Sequence, residues 1–223
     1  MTDRVQVGVL VSGRGSNLDA LCAAAAAPDF PARIVLVVSN RRGAGALEIA
    51  GRWGVTAAVM PVSEYGHDDA ARDRAMRDRL LGAGVRLVVC AGYNRLLTDE
   101  FLAAFPDAIL NVHPSLLPAF GGGMHAVEDA LEQGVKLTGC TVQLLEPGLP
   151  DGGAIVLQRA VPILDEDDAE SLRERIHAEE WVALPEAVRL WCEGRIRREG
   201  RVLRIDPPRG AAGGCLPQAE SSP

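Results

Sequence analysis

The chain has 223 residues, of which 48% are hydrophobic, and its formal net charge is −7. This length suits one large α/β domain, and the apolar fraction is sufficient for a sizeable core. The basic residues are scattered rather than clustered, which argues against a nucleic-acid partner. No apolar run approaches the roughly 18 residues of a membrane span, so we expect no membrane partner. The first residues lead straight into a short apolar strand rather than into a signal sequence.

The cysteines argue against disulfides and against a metal site. There are five of them, and none forms a C-x-x-C pair. Three lie in apolar or amphipathic runs, which are typical of buried thiols. We therefore expect reduced cysteines, no bound metal and a cytoplasmic protein.

The N-terminal half alternates between strand and helix patterns. Val5 to Val11 is predicted to be a buried strand, and after a glycine turn Leu18 to Ala27 is alanine-rich and helical. Further strands are predicted at 34–38, 56–60, 87–91 and 108–112, with helices at 45–53 and 68–81 and a short one from Thr98 to before Pro106. Such alternation predicts a parallel sheet.

The C-terminal half continues with a helix, two strands, a long helix and a hairpin. The predicted ranges are 125–133, 137–145, 154–161, 170–192, 196–198 and 202–205, with a turn at 146–153 and a kink expected at Pro185. The whole succession predicts an α/β fold with a doubly wound, mostly parallel sheet of about seven strands and helices on both faces. Residues 1–206 form the predicted domain, and the composition of 207–223 predicts a disordered tail.

The segment around residue 111 brings an apolar strand to a stop at polar groups. Pro114 and Pro118 prevent regular strand pairing, so Asn111 and His113 should lie at or just past a strand end. Residues two apart in a strand point to the same side, and parallel sheets carry their chemistry at the carboxyl ends of strands. The alternative for this segment alone is a capped turn beside a proline.

A second motif lies between the first strand and the first helix. The sequence from Gly13 to Asn17 follows a strand and opens a helix, where free N–H groups and the helix dipole favour a phosphate. The dinucleotide fingerprint fails because Leu18 occupies its third glycine position, and a Walker loop is absent from the sequence. We therefore expect one phosphate monoester here, the alternative being an ordinary tight turn with a Ser or Asn cap.

The string NVHPSLLP at 111–118, followed by AFGGGMH at 119–125, resembles the signature loop of the folate-dependent formyltransferases. The resemblance extends from about Val5 to Ile205. It implies transfer of a formyl group from the co-substrate 10-formyltetrahydrofolate to the amine of 5-phosphoribosylglycinamide (glycinamide ribonucleotide), in purine biosynthesis, without a metal or a covalent enzyme intermediate. The implied partners are these two small molecules, bound by a monomer or a homodimer.

The resemblance also implies a role for each matching residue. Asn111 and His113 would stabilise the oxyanion, and Asp151 would pair with His113. The residues implied for the phosphate are Gly15, Ser16 and Asn17, with Glu180 for the sugar, and those implied for the folate are Asn94, Arg95, Leu96 and Leu97, together with Asn111. Without the resemblance, a plain surface turn accounts for Asp151 and a solvated helix face for Glu180.

This chain departs from the formyltransferase pattern at three places. Gln143 stands where relatives usually have a His, Asn94 where many have an apolar residue, and the segment around Asp68 and Asp69 lacks an Arg that contacts the folate tail. These departures leave open a catalytically silent module that binds a sugar phosphate. Of the relatives with the same Asn-x-His and Asp set, 10-formyltetrahydrofolate hydrolase normally has an extra N-terminal domain, for which the strand at Val5 leaves no room. Methionyl-tRNA formyltransferase needs a C-terminal nucleic-acid-binding domain, for which the chain ends too soon.

Overall fold

The computed structural model describes residues 4–208, and its centre is one β-sheet. The strands are β1 Val5–Val11, β2 Ala32–Ser39, β3 Thr56–Val59, β4 Leu87–Cys90, β5 Ile109–His113, β6 Leu137–Leu144 and β7 Ile155–Pro162. They lie in the order β3-β2-β1-β4-β5-β6-β7. The pairs among β1 to β5 are parallel, whereas β6 is antiparallel to β5 and to β7.

Helices cover both faces of this sheet. They are α1 Ser16–Ala26, α2 Ala46–Arg52, α3 Asp69–Gly82, α4 Asp99–Ala103, α5 Ala126–Glu132 and α6 Ala169–Cys192, with a 3-10 turn at Val62–Tyr65. A separate hairpin follows, formed by β8 Ile196–Glu199 and β9 Val202–Ile205. The predicted doubly wound, mostly parallel sheet with helices on both faces is confirmed.

The sheet is held by apolar side chains that alternate between its two faces. Along β1, Val7 and Val9 belong to the apolar cluster under α1, α2, α5 and α6, whereas Leu10 belongs to the cluster under α3 and α4. The same alternation applies to β5, where Leu110 joins the first cluster and Ile109 the second. Strands buried on both faces need apolar residues at nearly every position, which is why they read as continuous apolar runs.

Three details differ from the sequence-based expectations or extend them. His113 is the last residue of β5, so it lies at the strand end as expected, and the strand extends one residue beyond the predicted bound of 112. Pro185 lies inside α6, whose total length is 24 residues, and the helix continues beyond it to Cys192. The tail predicted for 207–223 lies outside the described residues, except for residues 207 and 208.

Helix α6 packs along the sheet with a stripe of buried residues. The stripe includes Leu172, Ile176, Ala183 and Ala187, spaced by four or seven residues as one face of a helix requires. Glu180 occupies the same stripe and is 3% exposed. A carboxylate in an otherwise apolar stripe costs free energy, so this position indicates more than a solvated helix face.

A buried ion pair connects α3 to the segment that follows β4. Arg72 Nη2 lies 2.6 Å from Asp73 Oδ1, and both side chains are 1% exposed. The second carboxylate oxygen of Asp73 accepts a hydrogen bond from the backbone N–H of Thr98, at 2.8 Å. The pair therefore fixes the far end of the loop that leaves β4.

We expect Asp73→Ala to lower the free energy of unfolding by about 1–3 kcal/mol, because the guanidinium loses its buried partner and the Thr98 N–H loses its acceptor, while Asp69 still lies 2.9 Å from Arg72 Nη1. Urea denaturation measures this loss. The matched control is Asp78→Ala on the same helix, which removes an exposed partner of Arg77 and should cost less than about 1 kcal/mol. Equal losses for the two variants would contradict the expectation.

Candidate active site

The three residues predicted to be catalytic lie together at the end of β5. His113 Nδ1 is 3.6 Å from Asp151 Oδ1, which comes from the loop between β6 and β7. Asn111 precedes His113 by two positions and therefore points to the same face of the sheet. This is the face of Ile109, covered by α3 and α4. The structure thus places an amide, an imidazole and a carboxylate at one strand end.

Two other groups hold the Asp151 carboxylate in place. Gln143 Nε2 donates to its Oδ1 at 3.0 Å, and the backbone N–H of Gly122 donates to its Oδ2 at 2.8 Å. Gln143 is fully buried, and it is paired directly with Asn111 across β5 and β6. The residue that replaces the usual His is therefore the side chain that anchors Asp151.

Both ring nitrogens of His113 face acceptors. Nε2 lies 3.0 Å from the carbonyl oxygen of Phe120, and Nδ1 faces Asp151. The Phe120 contact is a hydrogen bond, whereas the 3.6 Å to Asp151 is the distance of an ion contact, which attracts the ring only when both nitrogens carry protons. To donate to an oxyanion, Nε2 has to leave the carbonyl oxygen of Phe120 and bind the substrate oxygen instead. This role of His113 stays a prediction.

Four of the five residues predicted to contact folate line one open cavity, whereas the fifth, Asn111, is not among its lining residues. Asn94, Arg95, Leu96 and Leu97 follow β4 and line a cavity of about 390 Å³. Leu96 is 76% exposed there. The parallel neighbour of β5 thus ends in apolar surface at the same sheet edge as His113.

The charged and amide side chains of this loop are bonded to other elements. Asn94 Oδ1 accepts a hydrogen bond from Asn40, and the backbone N–H of Asn94 donates to Ser12 Oγ. Arg95 Nη2 lies 3.0 Å from Asp69 Oδ1, at the N-terminus of α3. The position where an Arg is missing therefore carries an acid that pairs with Arg95.

A second cavity, of about 180 Å³, lies on the other side of the strand end. Asn17 of α1 and Glu180 of α6 line it, together with Val112 and Pro114, which flank His113. Asn17 Nδ2 donates to Glu180 Oε2 at 2.8 Å, and both residues are buried. Asn17 Oδ1 has no hydrogen-bond partner among the described residues. That oxygen is itself buried, so the polar group that this pair brings to the cavity lining is the Glu180 carboxyl.

The predicted phosphate loop leads into this second cavity. Gly15 precedes α1 with φ 90°, and a Cβ there would lie 2.6 Å from Ala46 Cα, so only glycine fits. Ser16 is the first residue of α1, whose initial N–H groups have no partner within the helix. The loop thus combines an obligatory glycine with free backbone donors.

Two arginines near this cavity were not assigned from the sequence. The pKa of His177 is lowered by burial and by the positive charges of Arg14 and Arg173. Arg173, His177 and Glu180 all line the cavity from α6. Their spacing of four and three residues was the available signal, because it places them on one helix face. Arg14 lies inside the glycine motif, but the phosphate prediction for this motif used only its backbone N–H groups and the helix dipole.

Burial strongly affects the Glu180 carboxyl. It raises the pKa from an ordinary 4.5 to about 7, while the hydrogen bond from Asn17 acts in the opposite direction. Desolvation penalises the charged form, which a ligand hydroxyl or another donor would stabilise.

The described residues 4–208 contain neither a cluster of metal ligands nor a membrane-spanning helix. Within this range no group of three or more His, Cys, Asp or Glu side chains could hold a metal ion. No helix of the described chain is long and apolar enough to cross a membrane.

These features define an enzyme site for small molecules. An amide, an imidazole and a carboxylate lie at one strand end of a doubly wound sheet, and two cavities lie beside them. The chain belongs to the formyl transferase family, whose model matches residues 5–188. The resemblance seen in the signature loop is therefore confirmed.

Individual relatives extend this likeness over most of the chain. A phosphoribosylglycinamide formyltransferase of Mycobacterium tuberculosis is 44% identical over 180 residues, which is 81% of each chain. The crystal structure of glycinamide ribonucleotide transformylase 1 from Symbiobacterium toebii has a TM-score of 0.88 and 48% identity, and covers 92% of this chain and 95% of its own. A trifunctional purine biosynthetic protein adenosine-3 of Chironomus tentans is 40% identical over 194 residues. The chain spans only 14% of the length of that curated relative.

The raised pKa of Glu180 predicts a pH-dependent stability. Below pH 4.5 the neutral Glu180 carboxyl makes its full contribution to the free energy of unfolding. This contribution, about 3 kcal/mol, is lost as the pH rises through about 7. Glu180→Gln removes this pH dependence. Urea denaturation should therefore show that the free energy of unfolding of the variant rises relative to that of the wild type between pH 4.5 and pH 8. Glu179→Gln, at a more exposed neighbour, should follow the wild type. Parallel curves for Glu180→Gln and the wild type would refute the assignment.

Proposed function

We propose that the chain transfers a formyl group from 10-formyltetrahydrofolate to the amine of 5-phosphoribosylglycinamide. The observation that carries the proposal is the group of Asn111, His113 and Asp151 at one strand end, beside a cavity with acceptors and a helix N-terminus. The names of full-length relatives support it, because those of Mycobacterium tuberculosis and Haemophilus influenzae are phosphoribosylglycinamide formyltransferases.

The chemistry is direct acyl transfer. The amine attacks the formyl carbon, the carbonyl electron pair moves to oxygen, and the tetrahedral species collapses by breaking the bond to the folate nitrogen. Fixed donors at the position of the oxyanion lower this barrier, and holding both substrates together lowers it further. Asn111 Nδ2 and His113 supply the donors, and Asp151 stabilises the imidazolium and accepts a proton on its way from the amine to the leaving nitrogen.

The ribonucleotide fits the second cavity. Its phosphate would lie at the N-terminus of α1, near Gly15 and Ser16, with Arg14 close by. The Asn17 amide donates to Glu180 and so holds that carboxylate, which lines the cavity, toward the ribose hydroxyls. Asn17 therefore contributes its backbone N–H to the phosphate, and its side chain acts on the sugar through Glu180.

The folate fits the first cavity. The exposed Leu96 and its neighbour Leu97 would pack on the pterin, while Asn94 and Arg95 contribute main-chain groups. The pair between Arg95 and Asp69 lies at this cavity, so a folate tail carboxylate competes with Asp69 for the guanidinium. This competition weakens the grip on an anionic tail.

The proposal includes a cytoplasmic location and small-molecule partners only. Reduced cysteines are the norm in the cytoplasm, and the described cysteines Cys22, Cys90, Cys140 and Cys192 are free. The choice between monomer and homodimer, and the domain limit at residue 206, stay predictions.

An assay of tetrahydrofolate release tests the proposed function. We expect release from 10-formyltetrahydrofolate to require glycinamide ribonucleotide, with formylated product formed in equal amount. Release at the same rate without the ribonucleotide would indicate a hydrolase. Binding of both substrates by calorimetry, without release, would indicate a silent sugar-phosphate-binding module.

Asp151→Asn keeps the shape of the side chain and removes its charge. We expect a fall in turnover of at least about 10²-fold, with binding of both substrates little changed, because an oxyanion donor is weakened. His113→Ala should have a similar defect, and the double variant should be scarcely worse, since the two residues act as a unit. The control is Asp165→Asn, the same change at an exposed aspartate that pairs with Lys136. An Asp151→Asn enzyme with more than about a tenth of wild-type turnover contradicts the assignment.

A further inference from the structure

We propose that the C-terminal hairpin β8–β9 positions the catalytic loop, with Arg198 and Arg201 as its positioning residues. The catalytic loop is defined as residues 145–154, between β6 and β7, and it carries Asp151. The inference rests on the proposed function, because it assigns a second layer of residues to the same site.

The catalytic loop has to travel back along the sheet to reach His113. β6 runs antiparallel to β5, so its last residue, Leu144, pairs with Leu110, three residues before His113. Three residues of strand correspond to about 10 Å. The loop therefore folds back over the face of the sheet, where ladder hydrogen bonds cannot hold it. Gln143 anchors the Asp151 carboxylate from within the sheet, and side chains from outside the sheet, including two of the hairpin, contact other points of the loop.

Arg198 and Glu146 close the base of this loop. Arg198 Nη2 donates to Glu146 Oε2 at 2.8 Å, and the other oxygen of Glu146 accepts from the backbone N–H of Ala154 at 2.9 Å. Glu146 and Ala154 lie at the two ends of the loop, so one carboxylate joins both ends to the hairpin. The same guanidinium also bonds to Asp107, which lies just before β5.

Arg201 contacts the loop next to its catalytic residue. Its Nη2 donates to the carbonyl oxygen of Gly152 at 3.1 Å. The backbone is closely packed here, because a Cβ on Gly153 would lie 1.8 Å from the carbonyl oxygen of Leu144. Gly152 is bonded directly to Asp151, so a shift of its carbonyl moves the backbone that carries the Asp151 carboxylate.

The hairpin itself has a firm base for this role. Ile196 and Leu203 pack against the apolar cluster under α6. The backbone N–H of Asp206 donates to the carbonyl oxygen of Arg195 at 2.8 Å and closes the hairpin. A hairpin fixed to the core can hold the loop where a free segment could not.

The test compares arginines of the same hairpin. We expect Arg198→Ala and Arg201→Ala each to lower kcat by about 3- to 10-fold with KM unchanged, since misplacement of a catalytic group by a fraction of an ångström is costly. Arg198→Lys should restore part of the loss, because it keeps the charge. The matched control is Arg204→Ala, whose partner Glu199 lies in the hairpin, and it should keep wild-type kcat. Melting temperatures confirm that each variant is folded at the assay temperature.

A double-mutant cycle separates positioning from a general loss of stability. If Arg198 acts through Asp151, then Arg198→Ala should add nothing to Asp151→Asn; fully additive losses, or wild-type kcat in both hairpin variants, overturn the proposal. Hydrogen exchange of amides 145–154 in the full chain is a readout that needs no activity. We expect faster exchange in Arg198→Ala than in Arg204→Ala, and equal exchange overturns the proposal even if the wild type proves to have no formyl transfer.

Discussion

The reversal of strand direction at β5 is the constraint on which the site depends. β4 runs parallel to β5, so the loop after β4 emerges at the same edge as His113. β6 runs antiparallel, so it places Gln143 opposite Asn111 rather than carrying another loop to that edge. One neighbour thus brings the cavity lined by residues 94–97 to this edge, and the other supplies the side chain that anchors Asp151 from within the sheet. A fully parallel sheet would have brought two loops to this edge and no anchor.

The fold could be predicted from the sequence because its signals are local. Apolar runs such as Val5–Val11 are strands buried on both faces, and the alternation with helices fixed the parallel order of the first half. The strand end at Asn111 and His113 also followed from local features, the prolines at 114 and 118. The apolar runs and the prolines restrict the conformation of their own segment of backbone, so they can be recognised in a single sequence.

The contacts that assemble the site could not be predicted in the same way. Asp151 was assigned only through the family resemblance, because a loop between two strands gives no local sign of which strand it will cover. The hydrogen bond from Asn17 to Glu180 joins residues 163 positions apart. The bond between His113 and the Phe120 carbonyl depends on a backbone with positive φ at a phenylalanine, which residue preferences do not favour. Such pairings are set by packing of distant elements.

The alternation of side chains along β5 has a consequence for how this enzyme can change. Val112 lines the cavity of Asn17 and Glu180, whereas Asn111 and His113 point to the opposite face. A single-residue insertion in β5 would exchange these faces. Val112 would then point to the face of the catalytic residues, and His113 would point to the face of the Asn17 and Glu180 cavity. Amino-acid replacements along this strand can be compensated one at a time, but a change in its length cannot. Natural length variation should therefore concentrate in the connecting loops and leave this strand untouched across lineages.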